Sequence, residues 1–242
     1  MRLHVFLAKA GVASRRTAEK MIAAGRVRVN GKLISVQGFS VHPGSDKVEV
    51  DGSPAEVSER KRYFVFHKPR GVMSTLRDRH AEKTVADFFR DIPEKLVPAG
   101  RLDKDSTGLL LMTNDGELIH RLTHPRYQVK KVYLVTVKGL IPPETFRRLE
   151  KGIPLDGKRT APCRIEILSA GEDGLELRVT LHEGRKREIR KMMKRVGAEV
   201  ETLERVSYGP LHLGNLRPGQ RRELAPSEVR RLKDDPQPVN QG

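Results

Sequence analysis

The stretch Gly100-Arg101-Leu102-Asp103-Lys104-Asp105-Ser106-Thr107-Gly108 sets the Asp103 carboxylate in a loop bracketed by glycines. The apolar run Leu109-Leu110-Leu111 follows directly and reads as a buried strand, so the loop opens where polar groups meet a cleft. A carboxylate in that position can act as a general base or as a nucleophile. A loop aspartate is also a common turn-former, and the residues alone leave both readings open. Other chemistries are excluded more firmly. Gly25 to Lys32 resembles a phosphate-binding loop only briefly, since five residues separate Gly25 from Gly31 and Leu33 replaces the hydroxyl that would hold magnesium. His120 and His124 share one helix face but have no carboxylate or third ligand beside them. Cys163 is the lone cysteine, which rules out internal disulfides and cysteine-based zinc sites and suits a reducing cytosol. Serine hydrolase and dinucleotide-binding patterns are absent.

The elements that must position this loop divide the chain in two. Leu3, Phe6, Leu7 and Ala10 recur at helical spacing, with Gly11 as the stop. Ser14 caps a second helix whose apolar face is Ala18, Met21 and Ile22 and whose stop is Gly25. Val27 and Val29 alternate into Asn30-Gly31, a strong hairpin signal, and Leu33 returns. Residues 1–50 thus form a small module of two helices and a hairpin. Residues 51–61, polar and containing Pro54, read as a linker. From 62 to 235 the pattern predicts strands at Tyr63–Phe66, Leu109–Thr113, Val132–Val137, Arg164–Leu168 and Leu175–Leu181. It predicts helices from Thr84 to Phe89, from Gly116 to about Leu122 behind an Asp115 cap, from Pro142-Pro143, and from Gly184 to Val196. Strands outnumber helices without strict alternation, which predicts an α+β domain with a mostly antiparallel mixed sheet. Residues 236–242 read as a disordered tail.

Charge says what such a chain meets. Lysine and arginine number 47 against 31 acidic residues, a net charge of +16. Residues 1–50 carry +6 of it and residues 180–195 carry +5. Two separated basic clusters point to two surfaces gripping one polyanion, with nucleic acid foremost. In the module the exposed basic positions are Arg15, Arg16, Lys20, Arg26, Arg28 and Lys32. The thirteen residues Leu33 to Ser45 are the longest run without a charge, too short for a membrane span. The apolar run Val5 to Ala8 ends at Lys9, too early for a signal peptide.

The segment "RLHVFLAKAGVASRRTAEKMIAAGRVRVNGKLI" resembles the small RNA-binding domain of small-subunit ribosomal protein four. "GRLDKDSTGLLLMTNDGEL" resembles the central motif of the pseudouridine synthases, in the branch that modifies ribosomal RNA. "YFVFHKPRGVMST", "VKKVYLVTVKG" and "LHEGRKREIRKMMKRVGAEVETLERVSYGPLHLG" extend the likeness in the same order over nearly the whole chain. The resemblance implies detachment of uracil from its ribose at N1, a turn of the base in the pocket, and rejoining through C5, without cofactor or metal. It assigns Asp103 the catalytic carboxylate, as nucleophile or base, and Tyr133 the ring packing on the flipped base, with a possible part in proton transfer. Arg190 is the arginine that pairs with Asp103, with Arg185 as second choice. Arg101 would fill the gap left by the uridine or hold a neighbouring phosphate. Arg185 and Lys186, with Lys191 and Lys194, would form the second RNA grip. Many relatives carry His-Gln where this chain has Arg187-Glu188, a departure that leans toward the large-subunit branch and 23S ribosomal RNA. The implied partner is a ribosomal RNA stem-loop or pre-ribosomal particle, met by a cytoplasmic monomer without a membrane. Against this stand the same chemistry on 16S RNA and a non-catalytic ribosome-assembly factor.

Overall fold

The computed structural model describes every residue except 59, 77, 79, 140 and 235–242, so the expected tail at 236–242 lies outside the described residues. The chain divides into two compact units, residues 1–62 with 91–96, and residues 63–90 with 97–242.

The first unit contains helices α1 (Leu3–Lys9) and α2 (Arg15–Ala23) and strands β1 (Val27–Val29), β2 (Lys32–Ile34), β3 (Val48–Val50) and β4 (Ser53–Ala55). Its local signals are those of the sequence. Ser14 accepts a hydrogen bond from the Thr17 amide and caps α2. Asn30-Gly31 turns β1 into β2 with both residues left-handed, as a two-residue hairpin loop requires. The four strands run β2-β1-β3-β4, and the core joins Leu3, Phe6, Leu7, Met21 and Ile22 to Val27, Val29, Val48 and Val50. The expected linker is shorter than 51–61. Asp51-Gly52 is a second left-handed hairpin turn, and it returns β4 along β3. Pro54 is tolerated because β4 is an edge strand.

The second unit is built on a nine-stranded sheet. Its strands are β5 (Tyr63–Lys68), β6 (Val97–Pro98), β7 (Thr107–Thr113), β8 (Lys131–Lys138), β11 (Arg164–Ala170), β12 (Gly174–Leu181), β13 (Glu199–Tyr208), β14 (Leu211–His212) and β15 (Arg221–Glu223). A separate pair, β9 (Pro154–Leu155) and β10 (Lys158–Arg159), stands outside it. Helices α3 (Gly116–Thr123), α4 (Pro143–Glu150), α5 (Glu188–Arg195) and α6 (Pro226–Asp234) complete the unit. The main order is β11-β12-β8-β13-β7-β5-β15, antiparallel throughout except for the parallel contact of β13 with β7. Thus the sheet is mixed and mostly antiparallel. Strand β5 is buried at all six positions and β7 at six of seven, which is why both read as apolar runs without alternation.

Three local expectations change. Helix α5 begins at Glu188 rather than Gly184, because Arg187 is left-handed at φ 54° and breaks the helical path before it. Thr84 caps a single 3-10 turn at Val85–Phe88 in place of an α-helix. The ten-residue strand β13 lies at the middle of the sheet in a stretch with no predicted element, and two register shifts against β8 interrupt its alternation. Gly108 makes the parallel junction possible. A side-chain carbon there would sit 2.4 Å from the Arg205 carbonyl oxygen.

Candidate active site

The Asp103 loop is pinned from several directions. Ser74 Oγ donates to the Leu102 carbonyl at 2.8 Å and accepts from the Leu102 amide at 3.1 Å. The Gly71 amide donates to the Lys104 carbonyl, and the Ser106 amide turns back to the Asp103 carbonyl. Lys68 ends β5 fully buried, with Nζ on the carbonyls of Pro69 and Val72 at 2.9 and 2.8 Å. Burial pulls the Lys68 ammonium down to about 8, against the attraction of Asp105 and Asp103. Asp103 itself is half-buried, and among the described residues no side chain bonds its carboxylate.

Asp103 and Arg101 stand on the wall between two cavities. One, of about 460 Å³, is lined by Ser106, Lys131, Tyr133, Glu188, Arg205 and Tyr208. The other, of about 700 Å³, is lined by Arg70, Ser74, Thr75, Lys104 and Arg187. Tyr133 is buried in the middle of β8, opposite Val179 on β12 and Arg205 on β13. Asp103, Tyr133, Arg101, Arg185 and Lys186 therefore meet at one cavity.

The expected ion pair is placed differently. Arg190 bonds Asp105, with Nε 3.3 Å from Oδ2, close enough for an ion pair but not aligned for a hydrogen bond. Its Nη2 donates to the Asp105 carbonyl and its Nη1 to the Val200 carbonyl. Arg187 Nη1 reaches both Asp105 oxygens, at 3.0 and 3.1 Å. Asp103 acts on Arg187 and Arg190 only through its field. The physical reason is reach: the carboxylate within bonding distance of both Arg187 and Arg190 is that of Asp105, two residues beyond the expected partner. Burial would raise the Asp105 carboxyl, but the hydrogen bond from Arg187 and the charges of Arg190 and Arg187 hold it below the usual range. Arg185 is not the alternative partner, because its guanidinium is bound to the carbonyls of Leu155 and Lys158.

Several further site residues lie within the quoted motifs but have no role assigned to them by the sequence. Glu188, 4% exposed, accepts from the Arg185 amide at 3.0 Å through Oε2. No hydrogen bond reaches its Oε1, and the neighbouring Glu183 carboxyl disfavours its charged form. Burial first, and Glu183 second, push Glu188 up to about 8. Lys131 donates to the Val129 carbonyl at 2.7 Å, and burial with the charge of Arg205 pulls it down to about 8. Arg205 stacks on Tyr208, 4.6 Å from the ring centre. These groups come together only through strand pairing.

On the first unit Arg15, Arg16, Lys20, Arg26, Arg28 and Lys32 are all exposed. Arg26 is already committed: Nε lies 3.0 Å from Asp51 Oδ1, and Nη2 bonds Oδ2. Arg28 donates to the Gly31 carbonyl within its own hairpin.

Residues 62–195 match the family of RNA pseudouridylate synthases, and residues 1–47 match the S4 domain. The chain is 46% identical to ribosomal large subunit pseudouridine synthase B of Bacillus subtilis, over 96% of this chain and 95% of that protein. It is 43% identical to an uncharacterised RNA pseudouridine synthase of Aquifex aeolicus, over 96% and 93%. A crystal structure of a pseudouridylate synthase superimposes with a TM-score of 0.70 at 32% identity, covering 96% of this chain and 99% of that one. The chain belongs to the RNA pseudouridylate synthase family, and it is an isomerase that turns uridine into pseudouridine in RNA.

Proposed function

We propose that this enzyme modifies a uridine of ribosomal RNA in the large subunit, 23S, with Asp103 acting on the ribose of a flipped-out nucleotide. One observation carries the assignment of Asp103: its carboxylate is half-buried, without a side-chain partner, and on the wall of the cavity that holds Tyr133. A carboxylate so placed is free to attack C1′ or to take a proton from the ribose. Tyr133 packs on the base, and Arg101 holds the strand from which the base is drawn. Arg190 and Arg187, held by Asp105, keep positive charge close to Asp103.

The large-subunit assignment is supported by the likeness to the Bacillus subtilis protein named for that subunit. Residues 1–50 are the first RNA grip, and the exposed Lys186 and Lys194 belong to the second. The enzyme works as a cytoplasmic monomer on a stem-loop or pre-ribosomal particle, and no described helix is long and apolar enough to cross a membrane.

Pseudouridine mapping on 23S and 16S transcripts incubated with the wild-type protein and with Asp103→Ala tests the reading. One new pseudouridine in 23S RNA, absent with Asp103→Ala at nearly unchanged RNA affinity, is the expected result. Modification confined to 16S RNA overturns the substrate, and wild-type turnover by Asp103→Ala overturns the mechanism.

A further inference from the structure

Arg205 lies directly opposite Tyr133 across the β8–β13 ladder, so both side chains stand on the same face of the sheet. It is 2% exposed. Its Nε donates to the Leu109 carbonyl at 2.8 Å and its guanidinium lies over the Tyr208 ring, which fixes the plane of the fork. With the plane fixed, Nη2 is buried and has no acceptor. Ser106 Oγ, 1% exposed and three residues after Asp103, also has no partner. Both residues line the cavity that contains Asp103 and Tyr133.

A buried arginine with an unused N–H calls for an explanation, because an apolar side chain would fill the same space without that cost. The setting sharpens the point. No carboxylate pairs with Arg205 among the described residues, and a second cation, Lys131, lines the same cavity close enough for the two charges to repel. An arrangement of this kind suits a ligand that brings negative charge with it.

We propose that Arg205 donates its free Nη2–H to a carbonyl oxygen of the uracil and stabilises the base as it leaves the ribose. This rests on the function proposed above. When the N1–C1′ bond breaks, its electron pair departs with the base, and the resulting uracil anion spreads charge over N1, O2 and O4. A donor preset at one of those oxygens strengthens as charge develops, and Nη2 is buried from solvent. Ser106 adds a hydroxyl to the same cavity wall.

The contact also survives the turn of the base. A half-turn about the axis through N3 and C6 exchanges N1 with C5 and O2 with O4. One donor therefore meets a carbonyl oxygen both before and after rotation. Cytosine would present its amino group to that donor in one of the two orientations, donor against donor, and so would be rejected.

Single-turnover rates on RNA carrying uridine or 5-fluorouridine at the target, for wild type and Arg205→Gln, test the role. Fluorine withdraws charge, so base detachment from 5-fluorouridine needs less help. Arg205→Gln should slow uridine consumption about 100-fold, as loss of one such donor does elsewhere. The loss with 5-fluorouridine should be at least tenfold smaller, with RNA affinity unchanged. An equal loss on both substrates marks Arg205 as merely structural and overturns the inference, as does a wild-type rate. If Arg205→Gln does not fold, Arg205→Lys takes its place, and the same comparison of the two substrates decides. An inert wild-type protein would overturn the proposed function and this role with it, whereas an active wild type beside an unimpaired variant overturns Arg205 alone.

Discussion

Asp105 holds Arg190 and Arg187 together at the rim of the site, the first at 3.3 Å from Oδ2 and the second at 3.0 Å from Oδ1. The consequence is a division of labour between two aspartates two residues apart. Asp105 is spent on positioning, and its charge is matched by the arginines. Asp103 keeps its carboxylate free beside the cavity and feels the same arginines as a field.

Asp105→Asn should therefore impair catalysis without removing the reacting group. It frees Arg187 and leaves Arg190 tied only to carbonyl oxygens. We expect kcat to fall by about 10- to 100-fold, the scale of a displaced positioning group. RNA affinity should hold or rise slightly, since the exposed Arg187 is released toward phosphate. Parallel measurement of kcat and Kd, with Asp103→Asn as the inactive reference, checks this. An unchanged kcat would show that the arginines need no anchor.

Tyr133 offers a different separation, of ring from hydroxyl. Tyr133→Phe keeps the stacking surface and should stay within about threefold of wild type if packing is the ring's main task. Tyr133→Leu loses base stacking, a contribution of about 1–3 kcal/mol, and should lower kcat/KM by roughly 5- to 150-fold. A Phe variant as slow as Leu would assign the hydroxyl a proton-transfer role instead.

What could be read from sequence was local. Ser14, Asn30-Gly31 and Asp115 announce their caps and turns because their chemistry acts within three residues. The Asp103 loop was visible for the same reason, being one continuous motif ahead of an apolar strand. Strand β13 was not, because its two register shifts break the alternation and its exposed glutamates give it no apolar run. Arg205 could not be assigned to the site without knowing that β13 lies between β8 and β7. The Arg190–Asp105 pair was missed because which of two aspartates in one loop faces α5 is set by tertiary packing and not by spacing along the chain.

Glu188 predicts a pH effect on stability. Its folded pKa, about 8, lies above the usual glutamate range, so the folded state binds the extra proton between the two values. Stability from this group is full below the unfolded value and is lost as pH rises through about 8. The groups facing it are Glu183, which favours the protonated form, and Arg185, whose amide and charge oppose it, with Lys131 and Arg205 as cations in the same cavity. Glu188→Gln keeps the shape and the amide contact but cannot ionise. Thermal midpoints of the two proteins should agree near pH 5. By pH 9 the variant should melt a few degrees higher, since about 1 kcal/mol moves a domain of this size by about 2–4 °C. Parallel curves across that range would show that Glu188 titrates normally.

The basic face of the first unit should not contribute evenly. Arg15, Arg16, Lys20 and Lys32 are exposed and free of ion pairs among the described residues, whereas Arg26 is tied to Asp51 by both ends of its fork. A phosphate contact made by a free cation releases a counterion, and its removal should flatten the dependence of log Kd on log salt by about one unit per residue. Arg15→Ala and Lys32→Ala should each show that change. Arg26→Ala should show less, because its charge is already offset by a carboxylate 3.0 Å away. Asp51→Asn reverses the argument: it releases Arg26 and removes one negative charge from the face, so RNA should bind more tightly at low salt with a steeper slope. Binding isotherms of a structured ribosomal RNA fragment across a salt series measure all four variants together. Equal slopes for Arg15→Ala and Arg26→Ala would mean that RNA displaces Asp51 and recruits Arg26 as fully as its neighbours.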